Sequence, residues 1–194
     1  MMEAYDVVEF KGFHINIWYD PHPIDPRAEF DNLGTVVCWH TKYDLGDKHS
    51  FETPNKFLKI INRSKIVMLP IYMYDHSGIT IRTYPFSCPW DSGQVGWIYA
   101  DRKKCREEFG WKLMTKARIG LIETILKNEV EVLDNYLTGW VFGYTIEPID
   151  ESSDLVCQDS CWGFFGDGDI AVAVAEAKLS INCVLEENHE KRAG

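Results

Sequence analysis

The 194 residues carry 20 Lys and Arg against 30 Asp and Glu, a formal net charge of −10, with 45% apolar and 13% aromatic residues. That length suits one domain with a substantial core, and that apolar content excludes a disordered chain. No run approaches the roughly 20 apolar residues of a membrane span, and the opening MMEAYDVVEF lacks the basic and apolar regions of a secretory leader. A soluble, intracellular protein with no membrane partner is therefore expected, its six cysteines reduced.

Along the chain, Phe13–Tyr19 (FHINIWY) alternates apolar and polar residues and predicts a half-buried strand. Residues 20–26 (DPHPIDP) hold three prolines, which fix an extended turn and argue against a helix. A turn at 31–34 (DNLG) feeds a strand at 35–40, and a polar loop follows at 43–49. A short helix is predicted over 51–62, with Pro54 in its first turn. Residues 66–74 (IVMLPIYMY) read as a central strand, except that Pro70 calls for a bulge or an edge. A tight turn at His76-Ser77-Gly78 leads into strands at 79–84 and 95–99.

The period then changes from two to 3.6. Asp101 is an N-cap for a helical turn at 105–109, and 111–137 places apolar residues on one helical stripe. Strands are predicted at 140–146 and 161–165, an acidic loop at 148–160, and a last helix from residue 166, with 186–194 a frayed tail. The predicted fold class is α+β: a single domain over 1–194, mainly one antiparallel sheet with two long helices packed on it.

Charge is segregated. Residues 101–118 hold seven Lys/Arg against three acids, and 147–169 hold seven acids and no Lys or Arg. Either block is ordinarily solvated surface. Their segregation makes Arg102, Lys103, Lys104 and Arg106 candidates for contact with a nucleic-acid backbone.

In the stretch 75–99 (DHSGITIRTYPFSCPWDSGQVGWIY) the loop between Pro85 and Gly96, joining the two strands, carries a thiol, a tryptophan and a carboxylate, more than a strand connector needs. Similar polar turns recur at 38–40, 75–78, 88–91 and 159–162, and are expected to crowd at one rim. Four chemistries compete for that rim. Acid–base cleavage of a phosphodiester would use His76 or His40 with Asp91. A binding surface would use Cys88, Trp90, Asp91, Gln94, Trp39 and Trp162, with Trp97 either joining it or lying in the core. A nucleophilic Cys88 is disfavoured because Pro89 lacks the N–H an oxyanion hole would take. No metal is expected, since neither CxxC nor HExxH occurs, and a lone cation on Asp75, Asp91 and His40 is the remaining alternative. No cofactor is expected either, because GxxxxGK[ST] and GxGxxG are missing.

The segments DNLGTVVCWH, LGDKH, YDHSGITI, PFSCPWDSGQVGWIY, YLTG and DSCWGFFGD together resemble a family of small accessory proteins of phages, conjugative elements and plasmids of Gram-positive and gut bacteria. The resemblance covers about residues 13–169, and PFSCPWDSGQVG is its most distinctive part. It implies a place among anti-defence proteins, overlapping with anti-CRISPR inhibitors of Cas9, and hence a host defence protein or its guide RNA as partner. It carries over no catalytic residues. The rival readings are a small ribonuclease using His76, His40 and Asp91, and a protein that sequesters a nucleotide signal against the tryptophans. The oligomeric state is not legible from the sequence.

Overall fold

The computed structural model describes residues 3–150 and 157–193, the side chains of 189–193 excepted. Residues 151–156 of the acidic loop expected at 148–160 therefore fall outside the described residues. The α+β class holds, with every strand pairing antiparallel. The strands form two four-stranded sheets rather than one, and the chain divides into two compact units: Met1–Ile24 with Gly139–Gly194, and Asp25–Thr138.

The first unit is built on β1 (Asp6–Phe10), β2 (Phe13–Tyr19), β7 (Val141–Pro148) and β8 (Ser160–Phe165), in the order β1-β2-β7-β8. Lys11 and Gly12, both at positive φ, turn β1 directly into β2, the geometry of a type I′ hairpin turn. The alternation read in β2 is real: Phe13, Ile15 and Ile17 are fully buried. They pack with Phe142, Tyr144 and Ile146 of β7 against α5 (Asp167–Ala193), which contributes Ala173, Ala177 and Ile181 at four-residue spacing. The helix continues to Ala193, through the stretch expected to fray.

The second unit holds β3 (Thr35–Cys38), β4 (Ile66–Asp75), β5 (Ile79–Arg82) and β6 (Ser92–Asp101), ordered β3-β6-β4-β5. Pro70 lies in the half of β4 that β5 does not reach, next to a register shift at Ile71/Tyr72, so the ladder loses no bond to it. The long helix α4 (Lys116–Thr138) lays Ile122, Leu126, Val130 and Leu133 on Val36, Ile71 and Ile98. Each such side chain contributes about 1.5–3 kcal/mol of burial. The opposite face takes α2 (Pro54–Ile60), whose Phe57 is fully buried among Trp39, Trp97 and Tyr99. A 3₁₀ turn (Arg63–Lys65) precedes β4, and α3 (Arg102–Glu108) follows β6, capped by Asp101 as read from the sequence.

One helix runs against the sequence reading. Pro26 opens α1 (Pro26–Glu29), where its missing N–H costs nothing, and the Asp25 side chain caps it. Its Arg27 is the hub of an ion network. The guanidinium, 6% exposed, donates to Asp47 (2.6 and 3.0 Å), to Glu129 (3.1 Å) and to the Gly34 carbonyl (2.7 Å). Glu129 also accepts the N–H groups of Leu33 (2.8 Å) and Gly34 (3.1 Å), so α4 is tied to the entry of β3.

Candidate functional site

Antiparallel order puts the C-terminal ends of β3 and β4 beside the N-terminal ends of β5 and β6. Three of the four polar turns singled out by sequence, 38–40, 75–78 and 88–91, therefore meet at one end of one sheet. The fourth, at 159–162, belongs to β8 of the other unit.

At this rim the Asp75 N–H donates to the Asp91 carbonyl (2.9 Å). The Asp91 carboxylate stands 3.4 Å from His76 Nδ1 and 3.7 Å from Cys88 Sγ, and the Ser92 hydroxyl donates to the Cys88 carbonyl. The loop is pinned along its length as well. Arg82 donates to the carbonyls of Tyr84 (3.1 Å) and Pro85 (2.7 Å), and lies over the Phe86 ring at 3.7 Å. Phe86 stacks on Tyr74, and Tyr74 on His76. A connector of this length is mobile when nothing holds it; this one is stitched to both flanking strands.

His40 reaches the same rim by way of residues the sequence reading passed over. The His40 ring stacks on Tyr43 (5.2 Å), whose hydroxyl donates to Asp75 (3.2 Å). Lys42 Nζ donates to the other Asp75 oxygen (3.2 Å), and hydrogen bonds to Tyr43 and Asp75 raise the pKa of its ammonium. His40 Nδ1 accepts the N–H groups of Lys42 and Tyr43 (3.3 and 3.2 Å). That fixes the neutral ring as a donor through Nε2, the wrong tautomer for a base at that position. Among the described residues His76, whose side chain is 65% exposed, is thus the one rim imidazole with an acid partner and a second nitrogen in no hydrogen bond. The Cys88 thiol faces a carboxylate, whereas a nucleophilic thiolate needs a cationic neighbour.

The tryptophans separate. Trp39 packs against His49, Phe57 and Trp97 and donates Nε1–H to the Phe51 carbonyl (2.8 Å), so it belongs to the aromatic core beneath α2, as does Trp97. Trp90 is 90% exposed at the tip of the pinned loop. Gln94 is exposed and donates to the Gly96 carbonyl (3.2 Å). Trp162, in β8, lies against Gly143 and walls a cavity of about 380 Å³ with Asp20, Pro21, His22, Ile24 and Gly163. The four rings that sequence alone would assemble into one wall therefore serve different structures.

Of the four basic candidates, Arg102, Lys103 and Arg106 line a groove of about 520 Å³ with Ser64, Lys65, Asp101 and Met114. Lys104 does not: its Nζ donates to the carbonyls of Asn32 (3.1 Å) and Leu33 (3.4 Å). Nothing in the sequence marks Lys65 as part of this set, yet the register pairs Ile66 with Asp101 and so sets the residue before one beside the residue after the other.

Among the described residues no group of three His, Cys, Asp or Glu side chains is placed to hold a metal ion. The oxygens of Asp75, one member of the alternative cation site, are already taken by Tyr43 and Lys42. No described helix is long and apolar enough to cross a membrane. Comparison of the chain with family models, curated proteins and solved structures yields no match.

Proposed function

We propose that this chain is a binding protein of a mobile genetic element. It acts in the cytoplasm of the bacterial host, inhibiting a defence system by contact with a Cas9-type effector or its guide RNA. The resemblance of PFSCPWDSGQVG and its companion segments to accessory proteins of phages and plasmids supports the class of partner. The observation that carries binding over catalysis is Trp90: an indole 90% exposed on a loop held by Arg82, Ser92 and Asp91. With the loop backbone already held and only two side-chain torsions to fix, docking this indole loses little entropy, and tryptophan is among the residues enriched at interface hot spots. Burying its 150–250 Å², at about 25 cal/mol per Å², is worth at most about 4–6 kcal/mol.

The test is co-elution of the purified protein with a Cas9–guide complex on a sizing column, repeated with Trp90→Ala. A hot-spot loss of about 2 kcal/mol or more weakens binding about 30-fold, while circular dichroism stays unchanged. Full affinity in the variant, or no co-elution of the parent, refutes the reading.

A ribonuclease reading draws on the His76–Asp91 pair (3.4 Å). It predicts shortened guide RNA on a denaturing gel, abolished by His76→Ala. Intact RNA with inhibition retained removes it.

A further inference from the structure

We propose that the groove between the 3₁₀ turn Arg63–Lys65 and α3 binds the phosphodiester backbone of a nucleic acid without reading its bases. Its lining includes neither Trp90 nor any other residue of the 86–92 loop.

Four cations line this concavity, Lys65, Arg102, Lys103 and Arg106, with one acid, Asp101. Asp101 is already engaged: its Oδ1 accepts the N–H groups of Lys103 (2.6 Å) and Lys104 (3.2 Å) as the cap of α3. Arg102 is held by its Nε–H on the Ile66 carbonyl (3.1 Å), and its terminal nitrogens meet no carboxylate among the described residues. Lys103 has one carboxylate, Glu107 at 3.7 Å, and with side chains 75% and 66% exposed that pair is screened by water. Lys65 and Arg106 form no ion pair among the described residues.

Four like charges gathered in one hollow repel one another, and an anion relieves that repulsion. The chain does not lack acids to do so, having 30 against 20 bases, yet among the described residues the cap is the one acid that lines the groove. The occupant is extended rather than a single ion. Arg102 and Arg106 stand four residues apart on α3, about 6 Å along its axis, which suits successive anionic groups. No aromatic ring lines the groove, so it offers no stacking platform, and Met114 supplies its apolar contact. Backbone contacts of this kind position a strand and carry no sequence information.

The test is fluorescence anisotropy of the full chain with labelled single-stranded RNA, single-stranded DNA and duplex DNA across a salt series. Three to four phosphate contacts on a single strand predict a slope of log K against log[salt] of about −2 to −3. Lys65→Glu/Arg106→Glu is expected to lower affinity at least about tenfold and to flatten the slope by about 1.4. Lys127→Glu, an exposed change on α4, should leave both unchanged. Should the charge-reversed chain fail to fold, Lys65→Gln/Arg106→Gln removes the same two charges and must show the same flattening. Binding by RNA and DNA alike supports a backbone site, and preference for one identifies the source. No binding at about 50 mM salt, a slope near zero, or affinity indifferent to either double variant overturns the proposal. So does displacement by inorganic phosphate as effective as displacement by oligonucleotide.

Discussion

Removing Glu129 should unfold the Asp25–Thr138 unit at a markedly lower urea concentration. In Glu129→Ala the Arg27 guanidinium, 6% exposed, loses its 3.1 Å partner on α4 while keeping Asp47. The N–H groups of Leu33 and Gly34 lose their acceptor too. Breaking one side of a buried pair costs about 3–5 kcal/mol, because the remaining charge and donors stay desolvated. With a urea m-value of about 2 kcal/mol/M, the midpoint falls by about 1.5–2.5 M. Glu129→Gln keeps an acceptor for the two N–H groups and should lose about half as much. The double variant Arg27→Met/Glu129→Met removes both charges, so its cost should be smaller than the sum of the single losses. Urea unfolding followed by tryptophan fluorescence measures all of these. A cost below about 1 kcal/mol for Glu129→Ala would show that water reaches Arg27. A double variant that is fully additive would show that the network is not a unit.

Gly96→Ala places a methyl 2.1 Å from the Val37 carbonyl oxygen and 2.7 Å from Cys38 Sγ on the paired strand. A cost of about 3 kcal/mol should lower the melting temperature by roughly 6–12 °C in calorimetry. An unchanged melt would mean β3 and β6 are farther apart. Burial raises the Asp134 carboxyl above its ordinary 3.8, against the hydrogen bonds it accepts from Ile81 N–H and Thr80. The folded state therefore holds that proton longer than the unfolded state, and stability falls as pH rises from about the ordinary value through the raised one. Asp134→Asn should abolish that decline in pH-resolved urea titrations; a slope identical to the parent would contradict the assignment. Under native conditions iodoacetamide should label exposed Cys183 first. Cys38, its thiol pushed up to about 12 by burial and by Asp47, and buried Cys105 should resist until the chain unfolds. Peptide mass mapping decides this, and early labelling of Cys38 would refute it.

What the sequence revealed was the local part of the fold. The alternation in 13–19, the cap at Asp101 and the apolar stripe of 111–137 are written within single elements. The structure buries Phe13, Ile15 and Ile17, caps α3 with Asp101 and buries Ile122, Leu126, Val130 and Leu133, while Leu121 of the stripe is exposed and the helix starts only at Lys116. The hairpin of β1 went unread because Lys11-Gly12 is a weak turn signal beside Asn-Gly, and because Asp6–Phe10 is an edge strand with little alternation. Pro26 concealed α1, since a proline that ends one helix can equally start another. The division into two sheets left no trace, because pairing β2 with β7 joins segments at opposite ends of the chain and no local pattern encodes that. The rim was legible because strand ends are polar, and three of its four turns converge. Its inner links were not: Tyr43 and Lys42 act on Asp75 through a tertiary contact. For the same reason Trp39 reads as a binding residue in sequence and packs as core in space.

The chain leaves its first unit after Ile24 and re-enters it at Gly139, and the points of departure and return are neighbours: Asp20 N–H bonds the Val141 carbonyl at 2.7 Å. The Asp25–Thr138 unit is thus an insertion into a host sheet whose strands β1 and β2 precede it in the chain and whose strands β7 and β8 follow it. During translation the leading hairpin must wait, its β2 edge unsatisfied, until the whole insert has emerged and β7 arrives to close the ladder. An unsatisfied edge is an invitation to mispair, and the insert, being continuous, has every opportunity to finish first. Neighbouring entry and exit points also ask little of what lies between them, so a host of this design can exchange its cargo, with whatever surface that cargo displays, without rebuilding the sheet that carries it.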